Sequence, residues 1–265
     1  MSPLQTLIFE RRDAAAWLVL NRPEAMNAMS PQLAADLAAA LDAVEADGGF
    51  RCLVITGRGR AFCAGADLKA VRALGEGQDP ESASKAFRDD AGALLRRIET
   101  FAMPVIAAVN GLALAGGLEL VSVCDIVIAA EEAMFGDQHA RYGLLPGWGG
   151  SARLPRKIGS NRAKELIFTG RHVSAATMME WGLVNRVVPL AGLEAAAETL
   201  AAEISEKSPL GLRLMKRMVD GGLELPLEDA LRHEIALVEA YQTSHDRREG
   251  LAAFAEKRKP AFKGR

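Results

Sequence analysis

Three places in the chain carry residue types able to do chemistry. Glu119 stands among Leu118, Leu120 and Val121, three residues after Gly116, in N-G-L-A-L-A-G-G-L-E-L (residues 110–120). A carboxylate in a first helical turn interacts well with the helix dipole, whereas an apolar wall pushes its pKa upward. That combination suits a base that accepts and returns a proton; a helix-cap carboxylate is the alternative. His139, one of four histidines, lies in F-G-D-Q-H-A-R-Y-G-L-L-P-G-W-G-G (residues 135–150), where five glycines and a proline surround Asp137, Arg141, Tyr142 and Trp148. An imidazole there serves as acid or base near neutral pH, or it fills a pocket wall.

The third place is R-A-F-C-A-G-A-D-L (residues 60–68). Ala64, Gly65 and Ala66 here, with Ala115, Gly116 and Gly117 in the other loop, have almost no side chain, so a ligand can approach the backbone closely. Glycine at a helix start leaves main-chain N–H groups unpaired. One N–H from each loop suits a developing oxyanion, where losing one donor typically costs roughly 3 kcal/mol of transition-state stabilisation. Tight strand–helix packing is the alternative for either loop. Neither loop fits G-x-G-x-x-G or G-x-x-x-x-G-K-[ST], and Gly149-Gly150-Ser151-Ala152-Arg153 lacks the last glycine of G-x-S-x-G.

The elements that must position these residues follow from periodicity. Trp17–Leu20 and Cys52–Thr56 are apolar runs bounded by turn residues and predict strands. Between them Ser30 caps a helix opened by Pro31, with Leu33, Leu37, Leu41 and Val44 on one face. A helix is predicted from about Glu81 to Phe101, then a strand at Val105–Val109, a short helix from about Gly116 to Cys124 and a strand at Ile126–Ala129. After Gly150 helical patterns dominate, at about 161–169, 175–181, 191–206, 209–220 and 226–243, with one strand at Val184–Val188. Strands alternating with helices, then helices, predict an α/β core with a helical C-terminal region, divided softly near residue 200.

Length and composition bound the rest. The 265 residues are 49% hydrophobic and 25% charged, enough for a well-filled core, and a net charge of −2 gives no sign of a polyanion-binding protein. Cys52, Cys63 and Cys124 form no C-x-x-C and lack histidines at ligand spacing, which points to a reducing compartment and away from structural zinc. The N-terminal stretch has no signal-peptide pattern. The most apolar region, Pro104–Ala130, is interrupted by Asn110, Glu119 and Asp125, so no membrane span is expected. A soluble cytoplasmic protein is the expectation.

Taken in order, A-F-C-A-G-A-D-L, P-V-I-A-A-V-N-G-L-A-L-A-G-G-L-E-L, C-D-I-V-I-A, M-F-G, G-L-L-P-G-W-G-G and F-A-E-K-R-K-P-A-F-K resemble the crotonase, or enoyl-CoA hydratase/isomerase, family. The resemblance covers nearly the whole chain. It implies a spiral of repeated β-β-α units over residues 1–200 with the acyl-CoA site, and a C-terminal helical region over 201–265 that builds a homotrimer or a dimer of trimers. It also implies an acyl-CoA thioester substrate, with coenzyme A as part of that substrate, no separate cofactor or metal, and no nucleic-acid or membrane partner. By motif, Ala66 and Gly116 supply oxyanion-hole N–H groups. Ala64, Gly65, Asp67 and Leu68 line the CoA path, Met26 matches a CoA-pocket segment, and Gly117 and Trp148 belong to the substrate site. Lys257, Arg258 and Lys263 are candidates for the CoA phosphates, or are solvated surface cations.

Glu119 matches the first of two catalytic glutamates of family hydratases; the second falls at His139. This departure leaves several reactions open. The first is hydration of a 2-enoyl-CoA through an enolate, with His139 as auxiliary acid/base. Isomerisation, decarboxylation or another lyase step on an acyl-CoA is the alternative. A noncatalytic CoA- or RNA-binding member is the third, although Lys85, Arg88, Arg96 and Arg97 interleave with Asp89, Asp90 and Glu99 and form no basic stripe. An Asp137–Arg141 ion pair at i, i+4 is expected to leave His139 facing the cavity. Trp148 replaces a smaller residue and is expected to narrow the acyl pocket or to stack on a flat acyl group.

Overall fold

The computed structural model describes residues 4–74 and 79–265; residues 1–3, the head of the N-terminal stretch read above, lie outside the described residues. β1 (Leu7–Arg12) turns at Asp13 and Ala14 into antiparallel β2 (Ala15–Leu20). α1 (Pro31–Asp47) follows, with Ser30 Oγ accepting from Leu33 N at 3.1 Å and proline at its first position. Leu33, Leu37, Leu41 and Val44 are fully buried, the face that the spacing predicts. β3 (Cys52–Gly57) then pairs parallel with β2.

From β3 onward the chain winds as a spiral. β4 (Ala61–Cys63) opens a second, smaller sheet before α2 (Leu68–Leu74) and α3 (Pro80–Glu99). The next turn is β5 (Val105–Val109), β6 (Leu112–Leu114) and α4 (Gly116–Ser122); the one after begins with β7 (Ile126–Ala130) and β8 (Met134–Gly136). Helices follow: α5 (Gly150–Ile158), α6 (Ser160–Thr169) and, after β9 (Val173–Ser174), α7 (Ala175–Trp181). β10 (Arg186–Val188) precedes α8 (Leu193–Ser205), α9 (Pro209–Gly222), α10 (Leu227–Tyr241) and α11 (His245–Glu256).

The large sheet runs β1-β2-β3-β5-β7-β10 and the small one β4-β6-β8-β9. Each turn therefore lays one strand in each sheet and then sends out a helix, the β-β-α unit. Val105–Val109 is buried at every residue, as suits a central parallel strand covered on both faces. α8 packs beneath β2, β3, β5 and β7, so the residues up to Ser205 still belong to the packing of the large sheet.

Several short elements lie beyond what the sequence predicts. β4, β6 and β8 are three residues each, and A-F-C, L-A-L and M-F-G are too short for a period to emerge beside their glycines. α5 starts in glycines and contains Pro155, two signals that argue against a helix. β1 and α11 are likewise unpredicted. Among the described residues no helix is long and apolar enough to cross a membrane.

The small sheet and α4 meet with almost no clearance. A Cβ on Gly117 would lie 1.9 Å from the Cys63 carbonyl oxygen. Gly117→Ala is therefore expected to destabilise the fold by about 2 kcal/mol or more. Gly92→Ala, within α3 and with nothing within 4 Å, is expected to stabilise by about 0.5 kcal/mol. Denaturant midpoints of the two variants measure both outcomes.

Candidate active site

Glu119 sits in the first turn of α4 with 3% of its side chain exposed. One carboxylate oxygen, Oε1, accepts from Gly150 N at 2.7 Å and from Trp148 N at 2.9 Å. Burial pushes the carboxyl pKa up. The N–H groups of Gly150 and Trp148 and the charge of His139 pull it back without cancelling the rise. The two main-chain donors come from the glycine-rich turn leading into α5, which thereby seats the carboxylate. Gly149 holds a φ of 102° there, as αL cap of the helix.

The other oxygen, Oε2, lies 4.0 Å from His139 Nε2. That gap is too long for a hydrogen bond, and it lets one water-sized oxygen stand within hydrogen-bond reach of both atoms. His139 opens a 3-10 turn, His139–Tyr142, just beyond β8. Its Nδ1 is 2.9 Å from Asp137 Oδ1, which also accepts from His139 N at 3.1 Å. Burial works to lower the imidazole pKa. The hydrogen bond and charge of Asp137, then the charge of Glu119, outweigh it and hold the value above that of an ordinary histidine.

This arrangement corrects one expectation. Asp137 does not pair with Arg141; it is buried beneath His139, whereas Arg141 is exposed and donates to Gln138 Oε1 at 3.3 Å. The helical turn starts at His139, so Asp137 lies outside it and the i, i+4 geometry never forms. The effect on the imidazole is the one expected from another cause: Asp137 takes Nδ1, and Nε2 faces Glu119.

The two small-residue loops come together beside Glu119. A Cβ on Gly65 would lie 3.1 Å from Gly116 N and 3.0 Å from Ala115 Cβ. Met29 N donates to Gly65 O and Asp67 N to Met29 O, so the intervening Ala66 turns its own N–H to the opposite side. Ala115 caps α4 at φ 49°, ψ −117°, with no side-chain cap, leaving Gly116 N–H at an open helix start. Among the described residues neither Ala66 N–H nor Gly116 N–H has a protein acceptor. Two uncommitted donors thus stand on adjoining loops, one of them at the start of the helix that carries Glu119.

Trp148 is buried, and its ring lies against the Gly116 α-carbon, where a Cβ would meet Cζ3 at 2.0 Å. Phe87 packs edge-on to the indole at a centroid distance of 5.8 Å. The remaining candidates divide. Ala64, Ala66 and Met26 are part-exposed on one loop cluster, joined by Ala64 N donating to Met26 O at 3.1 Å. Leu68 is 56% exposed at the start of α2. Asp67 is committed to structure, pairing with Arg22 at 2.8 Å and capping Ala70 N at 3.0 Å. Gly117 turns towards Cys63 and away from the donors. Arg258 is engaged by Glu249 and Glu256. Burial pushes the Cys63 thiol up to about 11, which leaves it unreactive near neutrality. Asp137 as the partner of His139 and Arg153 as a ligand of the Trp148 carbonyl at 2.8 Å are contacts of the candidate site that the sequence did not single out. Proximity of Asp137 to His139 was the available signal for the first.

Comparisons with known proteins place the whole chain beside one family. The family model described as enoyl-CoA hydratase/isomerase matches residues 10–265. YngF of Bacillus subtilis, named as a candidate enoyl-CoA hydratase/isomerase, is 44% identical over 255 residues, 96% of this chain and 96% of that protein. The 2,3-dehydroadipyl-CoA hydratase of Escherichia coli is 36% identical over 262 residues, covering 99% and 100%. The crystal structure of an enoyl-CoA hydratase from Bacillus anthracis superposes with a TM-score of 0.92 at 40% identity, over 98% of this chain and 100% of that one.

The Asp137–His139 contact has a measurable consequence. In Asp137→Asn the burial of the imidazole is opposed by the charge of Glu119 alone, so its NMR titration midpoint is expected to fall. Because the native value is raised, the contact stabilises the fold fully below the ordinary histidine pKa, and that contribution is lost as pH rises through the raised value. An unchanged midpoint would show that Asp137 does not hold the proton.

Proposed function

The chain belongs to the enoyl-CoA hydratase/isomerase family, and from that premise we propose that it adds water to a 2-enoyl-CoA thioester. The observation that carries this reading is the 4.0 Å gap between Glu119 Oε2 and His139 Nε2, beside two uncommitted N–H donors. In this reading Ala66 N–H and Gly116 N–H receive the thioester oxygen and draw electron density from the β-carbon. A water in the gap gives its proton to Glu119 as its oxygen bonds to the β-carbon. The π electrons move to the thioester oxygen as an enolate. When the enolate collapses, the α-carbon takes a proton from the His139 imidazolium, which Asp137 supports from behind. The proton on Glu119 then returns to His139 through the next water, and the site is reset.

The environment of each group supports its role. Burial makes Glu119 a stronger base than an ordinary carboxylate, and its Oε1 is immobilised so that Oε2 alone reacts. One observation favours a second reading, double-bond isomerisation. Asp137 is committed to His139, which leaves Glu119 as the carboxylate with a free oxygen among the described residues of this site, and one such base is enough for a 1,3-proton shift. Coenzyme A enters as part of the substrate, and no separate cofactor is invoked.

The surface fits an enzyme that assembles with copies of itself. Met215, Val219 and Leu223 of the α9 segment and Leu227, Leu231, Ile235 and Val238 of α10 are exposed apolar residues at helical spacing, a face that a homotrimer would cover. Lys85 and Arg88 pair with Asp89, and Arg97 with Asp42 and Glu45, which speaks against a nucleic-acid face. The buried free thiols Cys52, Cys63 and Cys124 suit a reducing cytoplasm.

The purified protein is expected to bleach the absorbance of a conjugated enoyl-thioester. Glu119→Gln is expected to abolish that activity and His139→Ala to slow it by about 10²–10⁴-fold. The pH profile is expected to rise above the ordinary carboxylate range and to fall above the ordinary histidine value, because Glu119 must be ionised and His139 protonated. A wild-type rate in Glu119→Gln contradicts the assignment. Product analysis on 2-enoyl- and 3-enoyl-CoA separates hydration from isomerisation.

A further inference from the structure

Glu119 receives both of its hydrogen bonds from a turn that something else must hold. Trp148 N and Gly150 N converge on one oxygen, and Arg153 fixes the first of the two carbonyls that lie between them: its Nη1 donates to Trp148 O at 2.8 Å. The guanidinium curls back over Gly149, where a Cβ would lie 1.9 Å from Nη1. Its other edge makes a two-pronged pair with Glu99, Nε to Oε1 at 2.6 Å and Nη2 to Oε2 at 2.7 Å. Glu99 is the last residue of α3, so the pair also ties that helix to the start of α5. Against its own burial, Arg153 holds Glu99 below the ordinary carboxylate range.

We infer that Arg153 and Glu99 are positioning residues for the reaction, locking the 148–150 turn so that Glu119 keeps one oxygen bound and presents the other to substrate. The inference rests on reading Glu119 as the base. Arg153 is suited to the task because a planar fork can bind a carboxylate with two prongs while a third N–H reaches a carbonyl, whereas lysine offers a point charge. The groups facing Glu119 are His139 and Asp137 from the end of the small sheet and Arg153 from α5; Arg96 and Lys157 add positive charge around Glu99.

The test uses Arg153→Lys and Glu99→Gln, both of which keep a cation at residue 153 and weaken the clamp. In each the main-chain donors loosen, so the Glu119 carboxyl midpoint, read by carbon-13 NMR and identified by its loss in Glu119→Gln, is expected to move up. kcat is expected to fall about tenfold, with KM for the enoyl-CoA changing far less. Glu99→Gln keeps the shape of the half-buried partner, and thermal melting confirms that each variant is folded. A wild-type midpoint in folded Arg153→Lys and Glu99→Gln overturns the inference. So does a rise in KM that accounts for the whole fall in kcat/KM with kcat unchanged, since that would mark a binding effect only. The NMR titration needs no turnover, so it decides the positioning role even if the protein proves not to hydrate enoyl-CoA.

Discussion

Everything at this site depends on seating one carboxylate in an apolar interior. A buried, ionised Glu119 is costly unless its oxygens are bound, and the fold supplies two main-chain N–H groups for one of them. Supplying both on a single oxygen leaves the second oxygen free, and the proposed role of the residue as a base rests on that asymmetry. The glycines from 147 to 150, the left-handed cap at Gly149 and the Arg153 contact to the Trp148 carbonyl all serve this one constraint.

The spiral explains how residues far apart in the chain reach the same spot. Each turn passes from the large sheet to the small one and then into a helix, so the links after β4, β6 and β8 stack side by side. The first of these links carries Ala66, the second Ala115, Gly116 and Glu119, and the third Asp137 and His139. The site is thus a column through three successive turns. Gly117 lets the start of α4 close tightly on Cys63 of the preceding turn.

Much of this was legible in the residues. Glu119 stood out as a carboxylate among leucines, and the small residues of 64–66 and 115–117 marked two loops whose backbones pack closely on each other. Ser30-Pro31 with Leu33, Leu37, Leu41 and Val44 specified α1. Less visible were contacts fixed by tertiary placement. Asp137 could pair along a helix with Arg141 or locally with His139, and only the position at which the 3-10 turn begins decides between them. The Glu99–Arg153 pair joins residues 54 apart and has no local pattern. Trp148 was expected at the pocket, but that its ring would rest on the Gly116 α-carbon depended on the close approach that glycine permits.

The most direct test is a crystal structure of the protein with a bound saturated acyl-CoA, which carries the thioester but lacks the double bond. The account predicts the thioester oxygen at about 3 Å from both Ala66 N and Gly116 N. It also predicts the β-carbon facing the gap between Glu119 Oε2 and His139 Nε2, with a water held by both. A thioester oxygen bound elsewhere, or a His139 ring turned away from the β-carbon, would contradict it.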